Sequence, residues 1–134
     1  MLIFVYGSLM TGMSNHSVIA PFVQGVRVAY TKGTLYHLPD GYPALVEGSG
    51  IVWGELFDLR DSQNALTILD RFEDFYGPGN SHNLYERVPQ TVWSEDGTEF
   101  TAQVYRWAKP LELKRIGVPV PNGDWREFLR ESHN

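Results

Sequence analysis

The chain has 134 residues, room for one domain with a single hydrophobic core and too few for two. It carries 11 basic and 16 acidic side chains, a net charge of −5, and no basic run, so a general attraction for nucleic acid is excluded. It has no cysteine, which excludes disulfides, thiolate chemistry and cysteine-ligated zinc or iron–sulfur centres.

Leu2 to Tyr6 is an unbroken run of aliphatic and aromatic residues ended by Gly7, the pattern of a short buried strand. It is too short, and lacks a charged leader, for a signal peptide. No stretch reaches the roughly 18 apolar residues of a membrane helix. The expectation is a soluble, cytoplasmic protein. Gly7 is expected to permit a backbone turn and close approach of a ligand, with the N–H groups of Ser8 and Leu9 following at the strand end. The plainer alternative is a strand running into an ordinary turn.

Ser14 is expected to cap a short helix through Val18 and Ile19, limited by Pro21. Val26–Tyr30 and Gly33–Leu38 read as strands, with turn chemistry at 39–43 and again at Glu47–Gly50. Ile51–Phe57 reads as a strand in which Gly54 marks a bulge or a close packing contact. Asp61 or Ser62 then caps a helix whose apolar face holds Ala65, Leu66, Ile68, Leu69 and Phe72. Residues 74–83, rich in Gly, Asn and Pro, read as a mobile loop. Tyr85–Trp93 and Glu99–Trp107 form a hairpin through Asp96-Gly97. The segment 109–121 has no clear assignment, and Asp124 caps a terminal helix over 125–130. The sum is a single α+β domain, residues 1–134, built on a small, mainly antiparallel barrel or curled sheet flanked by a few helices.

Glu73 is the residue with chemistry in view. It lies four positions after Leu69 and seven after Leu66, so on a continuing helix it extends an apolar stripe. A carboxyl there is desolvated, its pKa rises, and it suits a general base near neutral pH. The alternative is a helix that ends by Phe72 and leaves Glu73 in water. Ser8 lacks both a Gly-x-Ser-x-Gly turn and an assignable base. His16, His37, His82 and His133 show no metal-ligand spacing. Glu47, Glu55, Asp70 and Asp74 read as solvated charges or caps.

Taken in order, Val5-Tyr6-Gly7-Ser8-Leu9, Gly41 to Val46, Gly54-Glu55-Leu56, Leu69-Asp70-Arg71-Phe72-Glu73, Tyr85-Glu86-Arg87 and Ala102-Gln103-Val104-Tyr105 resemble the γ-glutamylcyclotransferase-like family. The resemblance runs from Leu2 to about Trp107. It implies a small barrel with a cavity between the first loop and the central helix. It implies that Tyr6, Gly7, Ser8 and Leu9 hold a γ-glutamyl group, that Tyr85 shapes the pocket, and that Glu73 is the single acid/base. The implied reaction releases 5-oxoproline and a free amine from a small γ-glutamyl substrate, with no metal, cofactor, nucleic acid or membrane partner. The family often has a glycine after this glutamate and a short link to Tyr-x-Arg; here Asp74 and a long link stand instead. Arg87 either meets a carboxylate or sits on the sheet surface. Two other readings share the scaffold: a non-catalytic module holding a small metabolite, and an amidase that yields glutamate.

Overall fold

The computed structural model describes residues 1–132, Lys114 and Ser132 through their backbone alone. The elements in order are β1 (Leu2–Val5), α1 (His16–Ile19), a 3₁₀ turn (Ala20–Phe22), β2 (Val23–His37), β3 (Pro43–Leu59), α2 (Ser62–Phe72), β4 (Tyr85–Ser94), β5 (Glu99–Trp107), α3 (Pro110–Ile116), β6 (Val118–Pro119) and α4 (Trp125–Ser132). The strand order β3-β1-β5-β4-β2, with β2 also pairing β3, closes a five-stranded barrel. Every pairing is antiparallel except β1 with β5.

The apolar run at the start of the chain is explained by burial on both faces. Phe4 and Tyr6 enter the barrel interior with Val52, Leu56, Val92 and Val104. Ile3 and Val5 face the opposite way, into a second core with Phe57, Ala65, Leu69 and Tyr105. That second core is where α2 lies against the barrel, and the cost of truncating a buried leucine such as Leu69 is about 2–5 kcal/mol. A third cluster, Leu38, Ala44 and Leu113, sits under α3.

Several expectations are corrected here. Glu47–Gly50 is not a turn joining separate strands: β3 runs unbroken through it, and β2 is likewise one strand. The ladder pairs Lys32 with Ile51 and Thr34 with Val46, so four residues oppose Gly33 as an irregular bulge. Of the two readings of Gly54, the bulge fails and the close packing contact holds: it stands in a regular part of the ladder, and its missing side chain admits the Val5 carbonyl and the Phe4 ring. Asn15 rather than Ser14 precedes α1. Asp61 precedes α2 but makes no side-chain cap bond, its carboxylate accepting from Asn64 instead. Ile68 and Phe72 remain 44% and 36% exposed, so the buried stripe of α2 is the narrower pair Ala65 and Leu69. The hairpin turn at Gly97, which has φ +86°, and the Asp124 cap on Glu127 N–H at 3.0 Å are as expected.

Candidate active site

The strand β1 ends beside the C-terminal end of α2, and a cavity of about 230 Å³ opens between them. Its wall includes Tyr6, Gly7, Ser8 and Leu9 on one side and Phe72, Glu73 and Asp74 on the other, with Tyr85 and Tyr105 from β4 and β5. The structure therefore gathers all six residues singled out for the site, although the first and last of them, Tyr6 and Tyr85, lie 79 positions apart in sequence.

The backbone freedom expected of Gly7 is not what the structure uses there. It does not have a positive φ. A Cβ at Gly7 would stand 2.6 Å from Pro43 Cγ, so the glycine is required by the close seating of the Pro43 ring. The chain then turns: Met10 N–H donates to Gly7 O at 3.1 Å and Asn15 N–H to Ser8 O at 2.9 Å. Asn15 Nδ2 donates to Ser8 Oγ at 3.0 Å, and His16 Nδ1 meets Leu9 O at 2.8 Å. Farther along, Glu55 accepts Thr11 N–H while Arg126 donates to Thr11 O, so Glu55 is a buried clamp rather than a solvated charge. Among the described residues the N–H groups of Ser8 and Leu9 have no acceptor. Both residues line the cavity.

The helix does end at Phe72, as in the plainer alternative, yet Glu73 is not in water. Its N–H donates to Leu69 O at 2.9 Å, which keeps it in the helical path. The residue as a whole is half-buried, but its carboxyl has lost most of its solvent. Desolvation, with the Asp74 charge adding, pushes it up from 4.5 to about 8. Among the described residues that carboxyl has no hydrogen-bond or ion-pair partner. Its charge is felt by Tyr6, Tyr85 and Tyr105, whose hydroxyls burial chiefly holds well above their ordinary pKa. All three phenols stay protonated. Tyr6 donates to Tyr105 O at 2.6 Å and Tyr85 to Pro43 O at 2.7 Å, so both hydroxyls shape the wall through bonds to backbone.

The end of α2 is fixed by its neighbour. Asp70 accepts from Arg87 Nε at 2.9 Å, from Arg87 Nη2 at 3.3 Å and from Tyr105 OH at 2.7 Å. Arg87 also donates to Gln103. Arg87 thus meets a carboxylate, that of Asp70, and Asp70 is no solvated charge. The 74–83 segment is bonded rather than loose. Asn83 is 1% exposed, accepts Tyr76 N–H at 2.6 Å and donates to Gly77 O and Glu86. Leu84 N–H donates back to Asp74 O, closing the loop.

Sequence reading alone did not assign Asn15, Phe72, Leu84 or Tyr105 to the wall. The alternation at 102–105 marks Tyr105 as a strand residue without saying which face it takes. Among the described residues no group of three His, Asp or Glu side chains gathers as a metal-ligand set; His133 lies outside them. No helix among them is long and apolar enough to cross a membrane.

Comparison with known proteins places this geometry in a lineage. The family described as γ-glutamyl cyclotransferase, AIG2-like matches residues 3–127. A curated relative from Niallia circulans, γ-L-glutamyl-butirosin B γ-glutamyl cyclotransferase, is 33% identical over 127 residues, covering 94% of this chain and 76% of its own. Among solved structures, YkqA from Bacillus subtilis superposes with a TM-score of 0.73 at 24% identity, over 98% of this chain. The chain spans only 42% of that protein's length. An uncharacterized protein from Pyrococcus horikoshii gives a TM-score of 0.67 at 22% identity, covering 98% and 95% of the two chains. Both superpositions speak for the fold alone.

Proposed function

The chain belongs to the γ-glutamyl cyclotransferase, AIG2-like family, and from that premise we propose that it is a γ-glutamyl cyclotransferase whose general acid/base is Glu73. The observation that carries the reading is the pairing, across one cavity, of a partnerless carboxyl with the unoccupied N–H groups of Ser8 and Leu9. The relative named for γ-L-glutamyl-butirosin B supports a γ-glutamyl amide as the bond that is cut.

Glu73 is protonated at neutral pH while the cavity is empty, because its carboxyl titrates at about 8. A substrate's α-ammonium supplies the missing counter-charge and draws the carboxylate form out. An α-amino group ordinarily titrates at roughly 8, so the two groups exchange a proton at little cost. The freed amine attacks the γ-carbonyl of the same molecule, and the new C–N bond closes a five-membered ring. The N–H groups of Ser8 and Leu9 face either the resulting oxyanion or the α-carboxylate. As the original C–N bond breaks, Glu73 returns its proton to the departing nitrogen and, again a carboxylate, takes the proton that the ring nitrogen sheds and passes it to the released amine. Of the three protons on the starting ammonium, one remains on the lactam nitrogen and two leave with the amine. Acyl transfer is thus completed within one molecule, and holding it folded supplies much of the rate through proximity. The leaving product is a free amine and the acyl product is 5-oxoproline.

The test is product analysis with a panel of γ-glutamyl amines and peptides. Release of 5-oxoproline is the expected result. Release of glutamate would replace cyclisation by hydrolysis, and no release from any member would remove the enzymatic reading.

A further inference from the structure

The loop that carries Ser8 and Leu9 along the cavity wall is closed over a single residue of β3. Val5, the last residue of β1, pairs with Glu55 in the ladder, so the main chain of Glu55 fixes where the loop begins. The side chain of Glu55 accepts Thr11 N–H, so the same residue fixes where the turn from Gly7 to Met10 ends. Glu55 is the most buried carboxylate among the described residues, at 8% exposure, and a carboxylate so placed needs a partner. Arg126 of α4 supplies it: its Nη2 lies 3.6 Å from Glu55 Oε1 and donates to Thr11 O at 2.8 Å. Both polar groups of the Thr11 backbone are thus held by side chains from 44 and 115 positions away. Past Thr11 the chain is open, a Cβ at Gly12 meeting nothing within 4 Å. The bonds of Asn15 and His16 to Ser8 and Leu9 only join the loop to its own continuation. Among the described residues, the hydrogen bonds that tie 7–15 to the barrel and to α4 are those of Thr11. Arg126 is itself anchored to β3 and β2. Trp53 N–H donates to Gly123 O at 2.8 Å, and the buried Trp125 donates its Nε1–H to His37 Nδ1 at 3.1 Å.

We propose that Glu55 and Arg126 are positioning residues, which hold the Ser8 and Leu9 amides in the place where the reaction uses them. The inference rests on the cyclotransferase reading above. Through Arg126, α4 acts on a site to whose wall it adds no residue. Without the clamp the exit of the turn is free, and a displacement of about 1 Å at the amides costs up to about a hundredfold in rate.

Glu55→Leu, Arg126→Met and Arg126→Lys separate the outcomes, each assayed well below its melting transition. Glu55→Leu removes the acceptor and should lower kcat/KM for 5-oxoproline release about thirtyfold. Arg126→Met leaves the carboxylate without its cation and should lower it about tenfold; Arg126→Lys keeps a charge and a donor and should return it to within about threefold of wild type. Amide hydrogen exchange reads the loop independently of turnover. Met10 and Thr11 N–H should exchange about tenfold faster in Glu55→Leu, while the amides of β4 and β5 keep their wild-type rates. A fall confined to kcat puts the amides on the oxyanion, and a rise confined to KM puts them on the α-carboxylate; either supports the inference. Wild-type kinetics in Glu55→Leu and Arg126→Met, or lost activity with Met10 and Thr11 exchange unchanged, overturns it and leaves the cyclotransferase standing. So does an Arg126→Lys variant no better than Arg126→Met, and so does faster exchange throughout β4 and β5, the mark of general loosening. No 5-oxoproline from the wild type removes both.

Discussion

Asp70 and Glu73 stand one turn apart at the same end of α2, and the fold treats them in opposite ways. Asp70 is saturated, with two guanidinium bonds and a phenol on its oxygens. Glu73 has no partner among the described residues and titrates at about 8. The saturated group joins α2 to β4 and β5. The bare one lines the cavity. A carboxyl can be left unsatisfied without loosening the helix end because another, three residues earlier, is satisfied three times over.

The comparison breaks first at Glu73. Glu73→Gln should lower 5-oxoproline release by about 10³-fold while circular dichroism stays native; a variant with wild-type turnover would take Glu73 out of the chemistry. Asp70→Asn should do the reverse. It leaves Arg87 short of its counter-charge and should cost about 1–3 kcal/mol in urea unfolding, with activity below the transition retained within roughly tenfold. Equal stability and a thousandfold loss in that variant would merge the two roles.

The pH axis sharpens the contrast. Folding raises the Glu73 carboxyl from 4.5 to about 8, so the native state holds its proton more tightly than the unfolded chain. The corresponding stability is fully present below about pH 4.5, declines as pH rises, and is lost above about 8. Glu73→Gln carries no such dependence. It should melt roughly 15 °C above the wild type at pH 9, relative to their difference at pH 4.5. Wild-type kcat/KM should rise with pH to a maximum near 8 and fall again as the substrate's ammonium loses its proton. The smallest effect is expected at Tyr85. Its hydroxyl serves Pro43 O, so Tyr85→Phe should cost about 0.5–1.5 kcal/mol of stability and less than about threefold in kcat/KM. A much larger kinetic loss would mean that this hydroxyl meets the substrate itself.

How much of this was legible in the sequence depended on the range of the interaction. Leu69 and Glu73 share a face through local helical spacing, and that spacing carries Glu73 to the cavity wall even though the helix stops one residue earlier. Ile68 and Phe72 obey the same period but flank the contact, because α2 meets the barrel along one narrow line. The Asp70–Arg87–Tyr105 cluster joins residues 17 and 35 positions apart, and no local pattern encodes it. The bulge opposite Gly33 likewise depends on register between two strands, so Gly, Ser and Glu at 47–50 imitated a turn. The loop 74–83 has the composition of a flexible segment, yet one buried side chain, Asn83, ties its backbone together. Pro110 in the first turn of α3 was a readable start signal within the unassigned 109–121 stretch.

The position of β1 has a consequence for how the molecule is made. Residues 2–5 pair with 55–58 on one side and, at 3–4, with 103–104 on the other. The first of the five barrel strands in chain order thus waits for the last of them, and the loop-closure entropy of some hundred residues must be overcome before the ring of strands shuts. A chain still emerging from the ribosome holds Tyr6 to Leu9 and Glu73 long before β5 exists, so the amides and the carboxyl have no enclosed space to share. Competence should therefore arrive in a single late step, with refolding slow for the chain's size and activity returning together with the final strand pairing.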